Sequence, residues 1–250
     1  MLNSLMIDVS IISDWLNANQ GVLTLAIFLL TLILGWISGI FSALRQRPKF
    51  KITFLKGPTF VCTYPTGEES NGYDVHRTGI SLYLKVANVG NAPSSIENVS
   101  VAYHWALKPF SKLWFKNSIG WFWLKYPTVA INDFQVNIGE NVKFYPFLLQ
   151  RSHVSGNQAE TFLVPGRSSN GVVYFEQGNS FGGCYPKGSK GIVRIKIAVE
   201  DVHGKKHVKK LKVPSVTFDE AVKYNPSFGR TLVELHDSKV GTENNTADVT

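Results

Sequence analysis

Residues 21–44, GVLTLAIFLLTLILGWISGIFSAL, contain no ionisable side chain. A backbone in hydrocarbon must satisfy its own hydrogen bonds, which a helix does. At about 1.5 Å per residue a helix of this length exceeds the roughly 30 Å hydrocarbon core of a bilayer. The stretch is therefore expected to be a transmembrane helix. A cleaved signal peptide is the competing reading, but it calls for a basic leading region and a shorter apolar run, and here the leading region holds only Asp8 and Asp14. Residues 1–20 are expected outside the cytoplasm, with 4–16 able to lie in the interface as a short amphipathic helix.

Charge gives the orientation. The whole chain carries +8, the first 44 residues −2, and the remainder therefore +10. Arg45, Arg47, Lys49 and Lys51 follow the span directly. Basic flanks stay in the cytoplasm, so the expectation is a single-pass protein of the cell inner membrane, N-terminus outside and C-terminal domain in the cytosol. A basic domain beside anionic head groups implies membrane lipid as a partner. No nucleic-acid motif accompanies the charge, which argues against direct nucleic-acid binding.

Beyond the span the apolar periodicity is two. Phe50, Ile52 and Phe54 alternate with Lys51 and Thr53, Ile80 to Val86 with Ser81, Tyr83 and Lys85, Val99 to Trp105 likewise, and Val193 to Val199 with Arg194 and Lys196. Such alternation buries one face of a strand. Turn residues at Asn88-Val-Gly90-Asn91-Ala-Pro93 and Asp201-Val-His203-Gly204-Lys205 separate the runs. The fold expected is all-β, an antiparallel sandwich over residues 45–236 behind one N-terminal helix, with a disordered polar tail at 237–250.

The stretch Leu82 to Pro93 followed by Ile96 to Val101 resembles the strand, Asn-x-Gly turn, strand pattern of bacterial immunoglobulin-like β-sandwich domains, and the closing hairpin Ile195 to Val213, with its Asp201 and Gly204, is similar to the last two strands of those folds. The resemblance implies an immunoglobulin-like sandwich and no activity. It is interrupted between Leu107 and Arg167, within an aromatic-rich insertion spanning residues 105–166. Residues 105–126 of that insertion, WALKPFSKLWFKNSIGWFWLKY, hold four of the six tryptophans. Trp114, Trp121 and Trp123 with Lys112 and Lys116 suit a membrane interface or a partner contact, since indole favours the head-group region and lysine reaches phosphate. The alternative is ordinary core along one edge of the sandwich.

Within the span, Thr31, Gly35, Gly39 and Ala43 recur every four residues, a column that lets a second helix approach and predicts a homo-oligomer. A second concentration of charge, Lys205, Lys206, Lys209, Lys210 and Lys212, reads as an anion-binding edge or as an edge strand protected from aggregation. No catalytic, metal-binding or cofactor pattern emerges. Asp201, His203 and His207 flank one turn and read as solvated turn residues. Cys62 and Cys184 read as free thiols in a reducing cytosol.

These features lead to a non-enzymatic membrane protein whose cytosolic sandwich binds a protein or nucleoprotein partner, or a signal, and acts through self-association of its helix. The layout is similar to that of membrane-anchored β-domain effectors of bacterial antiviral systems, which implies a membrane-perturbing role. The alternative is a constitutive scaffold that tethers a cytosolic complex without changing permeability.

Overall fold

A computed structural model describes residues 13–40, 46–154, 156 and 158–230. Contacts divide the chain into two compact units, Met1–Arg47 and Pro48–Thr250. The tail expected at 237–250 and Ala43 of the small-residue column lie outside the described residues.

The first unit contains α1 (Gln20–Ile37), with no buried residue and no charged side chain. It is long and apolar enough to cross a membrane. Residues 13–18 are also helical, and the amide of Leu23 donates to the Asn19 carbonyl at 3.0 Å, so helical bonding continues through Asn19. The helical stretch thus begins upstream of residue 21 and α1 ends before residue 44. Its end is local chemistry: Gly39 takes φ +75°, the left-handed conformation that closes a helix and that glycine adopts at little cost.

The second unit is mostly antiparallel sheet. In the first sheet β3 (Tyr73–Asn88) is central. β1 (Phe50–Phe54) and β2 (Phe60–Ser70) pair along one of its edges, and β9 (Ser168–Phe181) along the other. In the second sheet β11 (Ile192–Asp201) lies between β12 (Lys206–Pro214) and β4 (Ser94–Tyr103). β4 also takes β5 (Phe122–Leu124) and the short β8 (Phe162–Leu163). β10 (Gly188–Ser189) pairs with the start of β11. Ile80, Leu82 and Leu84 of β3 meet Val99, Val101, Ile195 and Ile197 of the other sheet in one buried core. Burial on this scale is the dominant stabilising contribution to such a fold.

Asn88 shows how the turn chemistry works. Its side chain donates to the carbonyls of Ala92 at 2.8 Å and Leu163 at 2.9 Å and accepts from the Gly90 amide at 3.0 Å. It therefore closes the β3–β4 turn and ties the end of the insertion to it, fully buried with its polar atoms satisfied.

A second core lies on the far face of the first sheet. Phe60, Cys62, Val172 and Tyr174 point there and are covered by Ala130, Phe134, Tyr145 and Phe147 of the insertion, with Ala221 and Phe228. The insertion contributes a hairpin, β6 (Phe134–Ile138) and β7 (Asn141–Tyr145). Ala221 belongs to α3 (Phe218–Tyr224), whose N-terminus carries a capping box between Thr217 and Glu220. The insertion is therefore not one appendage: part of it joins the second sheet at β5 and β8, and part roofs the first sheet.

Candidate membrane interface

α1 presents Thr31 and Gly35 on its surface, but the column of small residues is broken. Gly39 sits past the helix end with a left-handed backbone, so it does not extend the groove that Thr31 and Gly35 begin. The Thr31 hydroxyl donates to the Ile27 carbonyl at 2.8 Å, satisfying it within its own helix.

The aromatic window divides in two. Trp105, Phe122 and Leu124 pack against the main core. Trp121 packs against His104 with the rings tilted by 44° and their centroids 3.9 Å apart, and Lys196 Nζ lies 4.1 Å from the indole centroid. Trp123 lines a groove with Ser100, Lys125, Glu200 and Lys206. Both indoles are half-buried on the outer side of the second sheet.

Trp114, Lys112 and Lys116 belong instead to a compact knob. Ser111 caps a single helical turn, α2 (Lys112–Trp114), which runs into a π-helix (Phe115–Ile119). Phe110 is 83 % exposed and Phe115 56 %, with Leu113 and Ile119 similarly open. Phe110 holds φ +67°, a costly conformation for a bulky side chain. Its ring and that of Phe115 flank Trp114, at 5.5 and 4.9 Å. Lys112 and Lys116 are exposed among them. The sequence pointed to the tryptophans, but in the knob Phe110 and Phe115 are more exposed than Trp114, which their rings flank.

The lysine-rich strand divides by strand parity. β12 pairs only with β11 among the described residues, so it is an edge. Lys209 turns toward β1, donating to the Ile52 carbonyl at 2.8 Å with its ammonium 5.9 Å from the Phe54 ring. Lys206 faces Glu200 at 3.5 Å. Lys210 and Lys212 stand on the outer face, directly opposite Lys196 and Arg194.

The turn triad departs from expectation. Only His203 is exposed; Asp201 is 1 % exposed and His207 is buried. The Asp201 carboxylate accepts from the His203 and Lys205 amides, both at 3.0 Å, and from His207 Nε2 at 2.9 Å. His207 Nδ1 in turn accepts from the Phe50 amide at 3.3 Å, so hydrogen sits on Nε2. The residues look polar and turn-like in sequence, yet they close the hairpin and fasten β1 to β12. Burial raises the Asp201 pKa, but the bonds from His207, Lys205 and His203 outweigh it and hold the carboxyl below its ordinary range.

Both cysteines are free. Burial, with a smaller contribution from Glu220, raises the Cys62 thiol to about 11. Among the described residues no cluster of three or more His, Cys, Asp or Glu side chains is placed to hold a metal ion.

No protein-family model matches the chain, and no curated protein matches it. A solved structure described as "X-ray structure of Northeast Structural Genomics Consortium target SoR45" aligns with 67 % of this chain and 85 % of its own at 8 % identity, with a TM-score of 0.20. At that score it carries no argument about fold or role.

Proposed function

We propose that this is a non-enzymatic, single-span membrane protein whose β domain docks on the bilayer that anchors it and tethers a cytosolic partner there. The carrying observation is the knob at 110–119, where exposed Phe110, Leu113, Phe115 and Ile119 are interleaved with exposed Lys112 and Lys116. Apolar groups flanked by lysine suit the head-group boundary, where rings enter the acyl region and ammonium groups stay with phosphate. The basic flank at Arg45, Arg47, Lys49 and Lys51 supports a cytosolic placement in a bacterial inner membrane. The domain is of the immunoglobulin-like kind in this reading: β1–β3–β9 and β4–β11–β12 follow the A–B–E and C–F–G strand orders of that sandwich.

Tethering is favoured over membrane perturbation by helix assembly because Gly39 leaves α1, shortening the small-residue groove to Thr31 and Gly35. The test uses the full chain in nanodiscs containing phosphatidylglycerol. Amide exchange across 110–119 is expected to accelerate at least threefold in the double variant Phe110→Ser/Phe115→Ser. Equal exchange in variant and wild type, with folding intact, would refute docking through this knob.

A further inference from the structure

A cleft of about 410 Å³ opens on the outer side of the second sheet, lined by Lys187, Lys190, Arg194 and Lys212 together with His104 and Ser118, and by no carboxylate. None of the four cationic side chains has an ion-pair partner among the described residues. Arg194 and Lys212 are directly opposed across β11 and β12, and the next outward pair, Lys196 and Lys210, repeats the arrangement. Directly opposed like charges destabilise a sheet. Two such pairs side by side make a fixed positive field that an anion would relieve.

The walls are built rather than incidental. Lys187 donates its amide to the His104 carbonyl at 2.7 Å, and Ala106 donates to the Tyr185 carbonyl at 3.0 Å, which sets the segment bearing Lys187, just before β10, beside the aromatic window. Ser118 comes from the π-helix and its hydroxyl donates to the Trp105 carbonyl at 2.6 Å. His104 uses Nδ1 to donate to the Gly120 carbonyl at 2.7 Å, which leaves Nε2 for another partner.

The β10–β11 turn carries the sharpest signal. Lys190 and Gly191 both have positive φ, +51° and +71°, as a two-residue hairpin of this hand requires. Asn, Asp or Gly meet that requirement more easily than lysine. The turn thus accepts a conformational cost and places another ammonium at the cleft. Strain retained at a binding site is a recurring arrangement.

We infer that this cleft binds a phosphate ester, with Arg194, Lys212, Lys187 and Lys190 neutralising its oxygens. Arginine can take two of them through its planar fork, while the lysines act as point charges. The ester could reach the cleft on an anionic lipid head group or on a soluble metabolite. Ser118 of the lining and exposed Phe115 and Ile119 of the knob share one π-helix, so the lipid source rests on the docking proposed above, whereas the soluble source does not.

The test is calorimetric titration of the full chain in a non-ionic detergent with inorganic pyrophosphate, dihexanoyl phosphatidate and dihexanoyl phosphatidylcholine. Pyrophosphate is expected to bind, and Arg194→Gln/Lys212→Gln to weaken it at least tenfold. Lys190→Gly is expected to weaken it about threefold while leaving the unfolding midpoint unchanged or higher, because glycine relieves the left-handed backbone. That opposition between binding and stability is something a merely structural lysine would not produce. Binding of phosphatidate as well, but not of phosphatidylcholine, supports the cleft with a head group as source; pyrophosphate alone supports it with a soluble ester. Absence of pyrophosphate binding, or equal weakening by Lys56→Gln/Lys85→Gln, which removes the same charge from the first sheet and its flank, would overturn the inference. Failure of docking is read separately, from amide exchange at 110–119.

Discussion

Replacing Asp201 by asparagine tests the hairpin clamp because it keeps the shape while removing the charge and turning one acceptor oxygen into a donor. In the native clamp the carboxylate accepts three hydrogen bonds, from His203, Lys205 and His207. An asparagine oxygen can still accept the two turn amides, but its amide nitrogen then faces another donor at His207 Nε2. If the imidazole moves its hydrogen to Nδ1, the Phe50 amide loses its acceptor instead. Either way one buried donor is left unsatisfied, at about 1–3 kcal/mol, and the remaining bonds lose their charge assistance. A total near 3 kcal/mol lowers the melting temperature by roughly 6–12 °C for a domain of this size. Urea unfolding of the detergent-solubilised full chain, followed by circular dichroism in the β region, reads the difference. The pH dependence has a definite sign. The folded pKa of Asp201 is depressed, so its contribution is complete above the unfolded value of about 3.9 and disappears as pH falls through the lower folded value. Wild type should lose this increment in acid and Asp201→Asn should have none to lose. A variant within about 0.5 kcal/mol of wild type, or one whose acid profile parallels it, would refute the clamp.

Two further outcomes follow from packing. At Gly171 a Cβ would stand 2.4 Å from the Leu148 backbone nitrogen, where the 146–148 segment runs beside β9 in a parallel bridge at Val172. Gly171→Ala should therefore cost more than about 3 kcal/mol, as overpacking against backbone does at its upper end, and a soluble yield and unfolding midpoint equal to wild type would contradict this close approach. Cys62 is fully buried with its thiol raised to about 11, whereas Cys184 is half-buried. Iodoacetamide at pH 8 should alkylate Cys184 at least tenfold faster, read by peptide mass spectrometry, because only thiolate reacts and only an accessible one is reached.

Where one face of a strand is buried the strand was legible, because alternation records its environment residue by residue, as in β1, residues 82–88 of β3, β4 and β11. β9 escaped that reading: residues 171–175 are buried on both faces, since the main core lies on one side and the insertion on the other, and the alternation vanishes. α3 also went unread, although Thr217 and Glu220 form a recognisable capping box. Asp201 and His207 show the limit from the other side, since their polarity suits a turn, yet Asp201 is buried within the bonds of its own hairpin and His207 against Phe50 of β1.

The amino-acid sequence by itself determined that an uncharged stretch could cross a bilayer, that the rest is basic and mostly strand, and that aromatic and lysine side chains are concentrated between residues 105 and 126. These are sums over neighbours in the chain, and composition and period report them directly. Only the tertiary structure decided that Phe110 and Phe115 are more exposed than Trp114, that Lys209 faces inward while Lys212 faces outward, and that Arg194, Lys212, Lys187 and Lys190 share one cleft. That outcome depends on strand register and on where the insertion packs, and a shift of one residue in register would send each of those charges to the opposite face.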